Sequence, residues 1–135
     1  MLITILAAGT RGDTQPYVAL GIELKKAGHM VRIATFETYA AFIKSFDLDF
    51  YPIRGDIVSV ASSDSVESAM KADTPLKLLL SFNTLKTLVF DLQKDFFDAC
   101  TGSDAIIYHP GAPIGYFIAQ RLKIPSILAT PFPMT

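Results

Sequence analysis

The sequence predicts an α/β domain: a doubly wound parallel sheet in the order 3-2-1-4-5, with helices on both faces. Three observations lead there. Short apolar runs with strand character alternate with longer segments of helical period, a pattern that implies crossover connections and parallel pairing. Glycine-bearing loops mark the changes of period. The length of 135 residues, half of them apolar, suits one domain with a real core and leaves no room for a second.

Taken in order, Met1 to Ala8 is an apolar run interrupted only by Thr4, as expected for a central strand covered on both faces. The loop Gly9-Thr10-Arg11-Gly12-Asp13-Thr14-Gln15-Pro16 follows. Gly9 and Gly12 allow a sharp turn and close approach to a ligand, Asp13 or Thr14 can cap the next helix, and Pro16 fits its first turn. That helix is expected from Gln15 to Ala27, with Tyr17, Leu20, Gly21 and Leu24 along one face, and Gly28 ends it. Met30 to Thr35 is the second strand, Thr38 to Phe46 a short helix and Asp49 to Ile53 the third strand. Between Arg54 and Asp73 the periodicity fades into Ser, Asp and Gly, predicting a mobile loop with one weak helical turn from Ser65 to Lys71. Pro75 opens a long helix to Cys100, with Leu78, Leu85, Leu92 and Phe96 in its apolar stripe. Asp104 to Tyr108 is the fourth strand, Gly111 to Leu122 a helix, and Ser126 to Thr130 the fifth strand. No internal repeat or low-complexity segment is present.

Charge narrows the partners. The formal net charge is −1, with both signs interspersed, so there is no electrostatic footprint for nucleic acid and at most peripheral association with a membrane. Neutral or lipophilic small molecules are the expected ligands. The single Cys100 rules out an internal disulfide and suits a reducing compartment. Met1 lacks a basic leader, and no run reaches the length of a membrane span, so a soluble, cytoplasmic domain is expected. No set of His, Cys and carboxylates has metal-ligand spacing.

In the order 3-2-1-4-5 the topological switch lies between strands one and four, and ligands bind outside their carboxyl ends. Those ends gather the loops of Asp13 and His109. Asp13 by itself reads as a helix N-cap. His109, followed by Pro110 and Gly111, can orient Asp13, contact a ligand or cap the next helix. Arg11 can contact a phosphate or brace the loop, and the tripeptide Arg11-Gly12-Asp13 is a chance match to an adhesion signal. His29 falls in a turn at the opposite end of the sheet and reads as structural. Dinucleotide binding would want G-x-G-x-x-G after the first strand, whereas the spacing here is G-x-x-G, with Glu37 only a weak ribose partner. A P-loop lacks its lysine.

The wording of the first loop, together with Ala19-Leu20-Gly21, Leu24 and Ala27-Gly28-His29-Met30-Val31-Arg32-Ile33-Ala34-Thr35, resembles one family. It is similar to the amino-terminal domain of glycosyltransferases with two Rossmann-like domains (the GT-B type), the family 28 group of sterol and antibiotic-aglycone enzymes. Phe42-Ile43, Asp49-Phe50-Tyr51-Pro52-Ile53, Gly55-Asp56, Ile124-Pro125 and Thr130-Pro131-Phe132-Pro133-Met134-Thr135 extend the likeness over nearly the whole chain, least between Ile57 and about Cys100. The resemblance implies a Rossmann-like acceptor-binding domain over residues 1–135 of an inverting, metal-independent hexosyltransferase. Its donor would be a UDP- or dTDP-sugar and its acceptor a hydroxyl on a sterol, lipid or other lipophilic aglycone. Asp13 matches the residue proposed in relatives as the general base, with His109 beside it. Gly9, Thr10, Arg11, Gly12 and Gly111 are the expected substrate-binding positions. No cofactor is expected on this domain alone. The donor-binding carboxy-terminal half is absent, which implies either a fragment of a longer protein, favoured because the chain stops within the Pro131 to Thr135 motif, or a separate partner subunit. Alone, the domain is expected not to turn over. The alternative is a non-catalytic small-molecule-binding or subunit-anchoring module, and the third reading, a nucleotide-dependent oxidoreductase, is opposed by the glycine spacing.

Overall fold

Five parallel strands in the order β3-β2-β1-β4-β5 form the centre of the molecule. The computed structural model describes residues 1–8, 11–53 and 74–130, and the side chains of Arg11, Asp13 and residues 77–89 stand outside that description. The strands are β1 (Leu2–Leu6), β2 (Met30–Phe36), β3 (Asp49–Ile53), β4 (Ala105–Tyr108) and β5 (Ser126–Leu128). Between them run α1 (Arg11–Lys26), a 3₁₀ turn (Glu37–Tyr39) leading into α2 (Ala40–Lys44), α3 (Pro75–Cys100) and α4 (Ile114–Leu122). The expected strand order and the α/β, Rossmann-like architecture are therefore both present.

Alternation along the strands divides the core into two layers. Ile3 and Ile5 of β1 join Val31, Ile33 and Ile107 on the side covered by Tyr17 and Val18 of α1 and Ile43 of α2. Leu6 joins Ala34, Phe36 and Ile106 on the other side, beneath Phe96, Ala99 and Cys100 of α3 and Ile118 of α4. Ile5 pairs with Ile33 on one flank and Ile107 on the other, so β1 is central and apolar on both faces. Thr4, the one polar interruption in that strand, is fully buried and meets the Ser103 hydroxyl at 2.5 Å. The interruption is thus satisfied internally, as a buried hydroxyl requires.

At the amino ends of the strands Arg32 ties helix to sheet. Its Nη1 donates to the Ala99 carbonyl at 3.0 Å, and its Nε to the Asp49 carboxylate at 3.3 Å. A cation on a carbonyl in the last turn of α3 opposes the negative end of that helix dipole.

Several boundaries differ from the sequence reading. β3 and α3 begin and end where expected, but α1 starts at Arg11, four residues before Gln15. Asp13 and Thr14 are therefore helical residues and not the N-cap, and Pro16 lies in the second turn. There its missing N–H gives up one bond to the Gly12 carbonyl, near enough to the helix start for the helix to continue. Thr14 is fully buried. The short helix after β2 divides into the 3₁₀ turn and α2. α4 starts at Ile114 because residues 109–112 form their own turn, in which the Ala112 N–H donates to the His109 carbonyl at 2.8 Å. β5 stops at Leu128, short of Thr130. The expected loop from Arg54 to Asp73 lies outside the described residues. Among the described residues, no helix is long and apolar enough to cross a membrane.

Candidate functional site

β1 and β4 are adjacent, and the connections that follow them lead to opposite faces: β1 into α1, β4 into α4. That divergence opens a crevice at their carboxyl ends. Backbone bonds continue past the strands there, with the Ala7 N–H donating to the Ala34 carbonyl at 3.0 Å and the His109 N–H to the Leu6 carbonyl at 2.9 Å. α1 points its first turn, Arg11-Gly12-Asp13, toward the exit of β1, bringing the positive end of its dipole to this edge. Gly9 and Thr10 lie outside the described residues, and Arg11 and Asp13 are placed by their backbone alone.

His109 is held from several directions. It is 7% exposed, and its Nδ1 accepts the Gly111 N–H at 2.8 Å. Its ring meets that of Tyr17 edge to face, with centroids 5.6 Å apart and planes at 81°. Tyr17 is itself buried, and its hydroxyl donates to the Ala129 carbonyl just beyond β5. Tyr17 follows Asp13 by four residues on α1, so positions 13 and 17 share one helix face, and that face meets the His109 ring. The histidine does not cap α4, whose N-cap is Pro113 and makes no side-chain cap bond. It caps the preceding turn instead.

Gly111 is required by contact and not by an unusual backbone angle. A Cβ there would lie 2.8 Å from His109 Nδ1 and 3.1 Å from the Ala8 carbonyl. Gly115, a helical turn further along, is required in the same way, since a Cβ there would come within 2.7 Å of Tyr108 Cβ. Small residues thus bring the start of α4 down onto the ends of β1 and β4.

Other groups named from the sequence lie elsewhere. His29 and Arg32 line a groove of about 520 Å³ at the amino ends of the strands, away from the crevice. Glu37, Tyr51 and Asp95 line a separate cleft of about 450 Å³ near the end of β3. Cys100 is buried beside α3's carboxyl end, and desolvation pushes its thiol up to about 12, with the Arg32 charge opposing. Among the described residues there is no group of three or more His, Cys, Asp or Glu able to hold a metal ion. Tyr17 is the site residue that sequence reasoning missed. Its available signals were its place four residues after Asp13 and the rule that a buried tyrosine hydroxyl needs a partner.

Comparison with known proteins agrees with this fold. Residues 3–135 match the model of the glycosyltransferase family 28 N-terminal domain. A sterol 3-beta-glucosyltransferase of Candida albicans is 38% identical over 133 residues, covering 98% of this chain and 9% of that protein. A sterol 3-beta-glucosyltransferase of Arabidopsis thaliana is 33% identical over 135 residues, covering 93% of this chain and 21% of that protein. The chain therefore spans only a minor fraction of these relatives' length. Among solved structures, the glycotransferase of kitacinnamycin superposes with a TM-score of 0.71 at 19% identity, over 99% of this chain and 31% of that one. A Streptomyces sp. SF2575 glycosyltransferase complexed with thymidine diphosphate gives 0.68 at 20% identity, over 96% and 38%. These structural likenesses carry the fold, whereas the family match runs from β1 through β5 in sequence as well, and on that ground the chain belongs to the glycosyltransferase family 28 N-terminal domain family.

Proposed function

We propose that this chain is the acceptor-binding domain of an inverting glycosyltransferase, which moves a hexose from a nucleoside-diphosphate sugar to a hydroxyl of a lipophilic acceptor. The observation that carries the reading is the family match over residues 3–135, which includes the β1–α1 segment with Asp13 in the first turn of α1. The relatives named as sterol 3-beta-glucosyltransferases favour glucose as the sugar and a sterol 3β-hydroxyl as the acceptor. The neighbour holding thymidine diphosphate supports a nucleotide-sugar donor. That donor would be bound by a carboxy-terminal half, on the same polypeptide or a partner subunit.

In this reading the acceptor oxygen attacks the anomeric carbon as the bond to the diphosphate breaks, so the configuration inverts. The hydroxyl proton passes to the Asp13 carboxylate, and the nucleoside diphosphate leaves with the bonding pair. Gly9, Thr10, Arg11, Gly12 and Gly111 would border the acceptor, with His109 beside them. The test is Asp13→Asn in the longer glycosyltransferase that contains this domain. Turnover should fall by about a hundredfold or more, the scale of lost general-base help, with thermal stability nearly unchanged. Wild-type turnover in that variant would instead assign the chain to the alternative, a non-catalytic binding or subunit-anchoring module.

A further inference from the structure

We infer that His109 is locked as an Nε2–H hydrogen-bond donor, and that Gly111 and Tyr17 are the positioning residues that lock it. The Gly111 amide stands 2.8 Å from Nδ1. An amide N–H only donates, so Nδ1 must offer its lone pair, and the single proton of the neutral ring then sits on Nε2. A proton on Nδ1 would set two N–H groups face to face. Turning the ring over would put a C–H against the amide and give up the bond.

The remaining freedom of the residue is removed by its neighbours. Its backbone N–H is bonded to Leu6 and its carbonyl to the Ala112 N–H. Tyr17 lies edge-on to the ring and fills the space beside it, and its hydroxyl donates to the Ala129 carbonyl. Ala8 and Nδ1 leave no space for a side chain at position 111. The Leu6, Tyr17 and Ala8 contacts join segments far apart in sequence, and together with the Gly111 bond they define one tautomer in one orientation.

The consequence for chemistry rests on the function proposed above. A nitrogen that already carries its proton cannot take one from an attacking hydroxyl, but it can hold an oxygen lone pair in place. His109 is then a hydrogen-bond donor through Nε2, an atom buried in the structure, and the base is left to Asp13.

Long-range proton–nitrogen correlation on the ¹⁵N-labelled chain at pH 7.5 tests the tautomer directly. The chain has two histidines, and His29→Gln isolates the signal of His109. Expected is a bare Nδ1 and a protonated Nε2. An Nδ1–H tautomer, or a spectrum averaged between the two, would overturn the inference. Tyr17→Phe, which keeps the ring contact, should preserve the wild-type pattern, whereas Tyr17→Leu should give averaging. An unchanged spectrum in Tyr17→Leu removes Tyr17 as a positioning residue, and if that variant fails to fold, averaging in Gly111→Ala carries the same test. In the longer enzyme, His109→Gln keeps a donor near the Nε2 position and should retain at least tenfold more turnover than His109→Leu. Equal losses would refute the donor role. A correct tautomer together with wild-type turnover in Asp13→Asn would refute the proposed function while leaving the lock standing.

Discussion

Replacing Gly111 by alanine tests the site's geometry with one methyl group. Its Cβ would meet His109 Nδ1 at 2.8 Å, His109 Cε1 at 3.1 Å and the Ala8 carbonyl at 3.1 Å. Ala8 is backbone at the end of the central strand and cannot retreat, so the imidazole must move. Moving it breaks the Gly111–Nδ1 bond, a loss of about 0.5–1.5 kcal/mol, and forces repacking against Tyr17 at a cost of about 1–3 kcal/mol. Gly111 has no positive φ, so alanine recovers roughly 0.4–1 kcal/mol through the unfolded chain. The balance is a destabilisation of about 0.5–4 kcal/mol, which for a domain of this size lowers Tm by roughly 2–15 °C. Urea denaturation followed by circular dichroism measures it, with a thermal scan as the second reading. A variant as stable as wild type, or more stable, would show that the close approach of Gly111 to His109 and Ala8 is not real, and the locked histidine would fall with it.

Other expectations can be checked alongside. Gly115→Ala should also destabilise, by about 1–3 kcal/mol, because Tyr108 Cβ and Cγ lie 2.7 and 2.9 Å from the new methyl, and chemical denaturation reads it. Cys100 should resist alkylation at pH 8 in the folded chain and react fully in denaturant, as a mass spectrum would record. Because its thiol is raised from 9.0 to about 12 on folding, the unfolded state gives up the proton first. The associated stability is present below pH 9 and is lost as pH rises from there toward 12. The chain alone should bind UDP- and dTDP-sugars only weakly in calorimetry, since the helix amino termini that hold a diphosphate are expected in the carboxy-terminal half proposed above. Micromolar affinity would contradict the assignment. Lys25→Ala should change stability by less than about 1 kcal/mol, because its 2.8 Å pair with Asp47 is exposed on both sides.

Local pattern was enough to place most of the architecture. The bounds of β3 and α3 and the order 3-2-1-4-5 follow from hydrophobic period and chain-connection rules, and both are properties of short stretches of sequence. Residues 1–8 were legible as a buried central strand, and position 13 and His109 as the polar positions at its exit. Helix starts were less legible. α1 begins at Arg11 and α4 at Ile114, since a helix's first turn is decided by how its unpaired amides are met at the edge of the sheet. The glycine at 111 looked like a turn residue, and only the approach of Ala8 and His109 explains why it bears no side chain. Tyr17 looked like one more residue on an apolar helix face. Its partners, His109 and Ala129, follow β4 and β5 and are distant from it in sequence. Sequence by itself therefore determined which segments become strands and helices and how the strands are ordered. The histidine's tautomer rests on a local bond from the Gly111 amide two residues on, whereas the tyrosine that holds its ring was decided by tertiary packing, because the two become neighbours only after the sheet has closed.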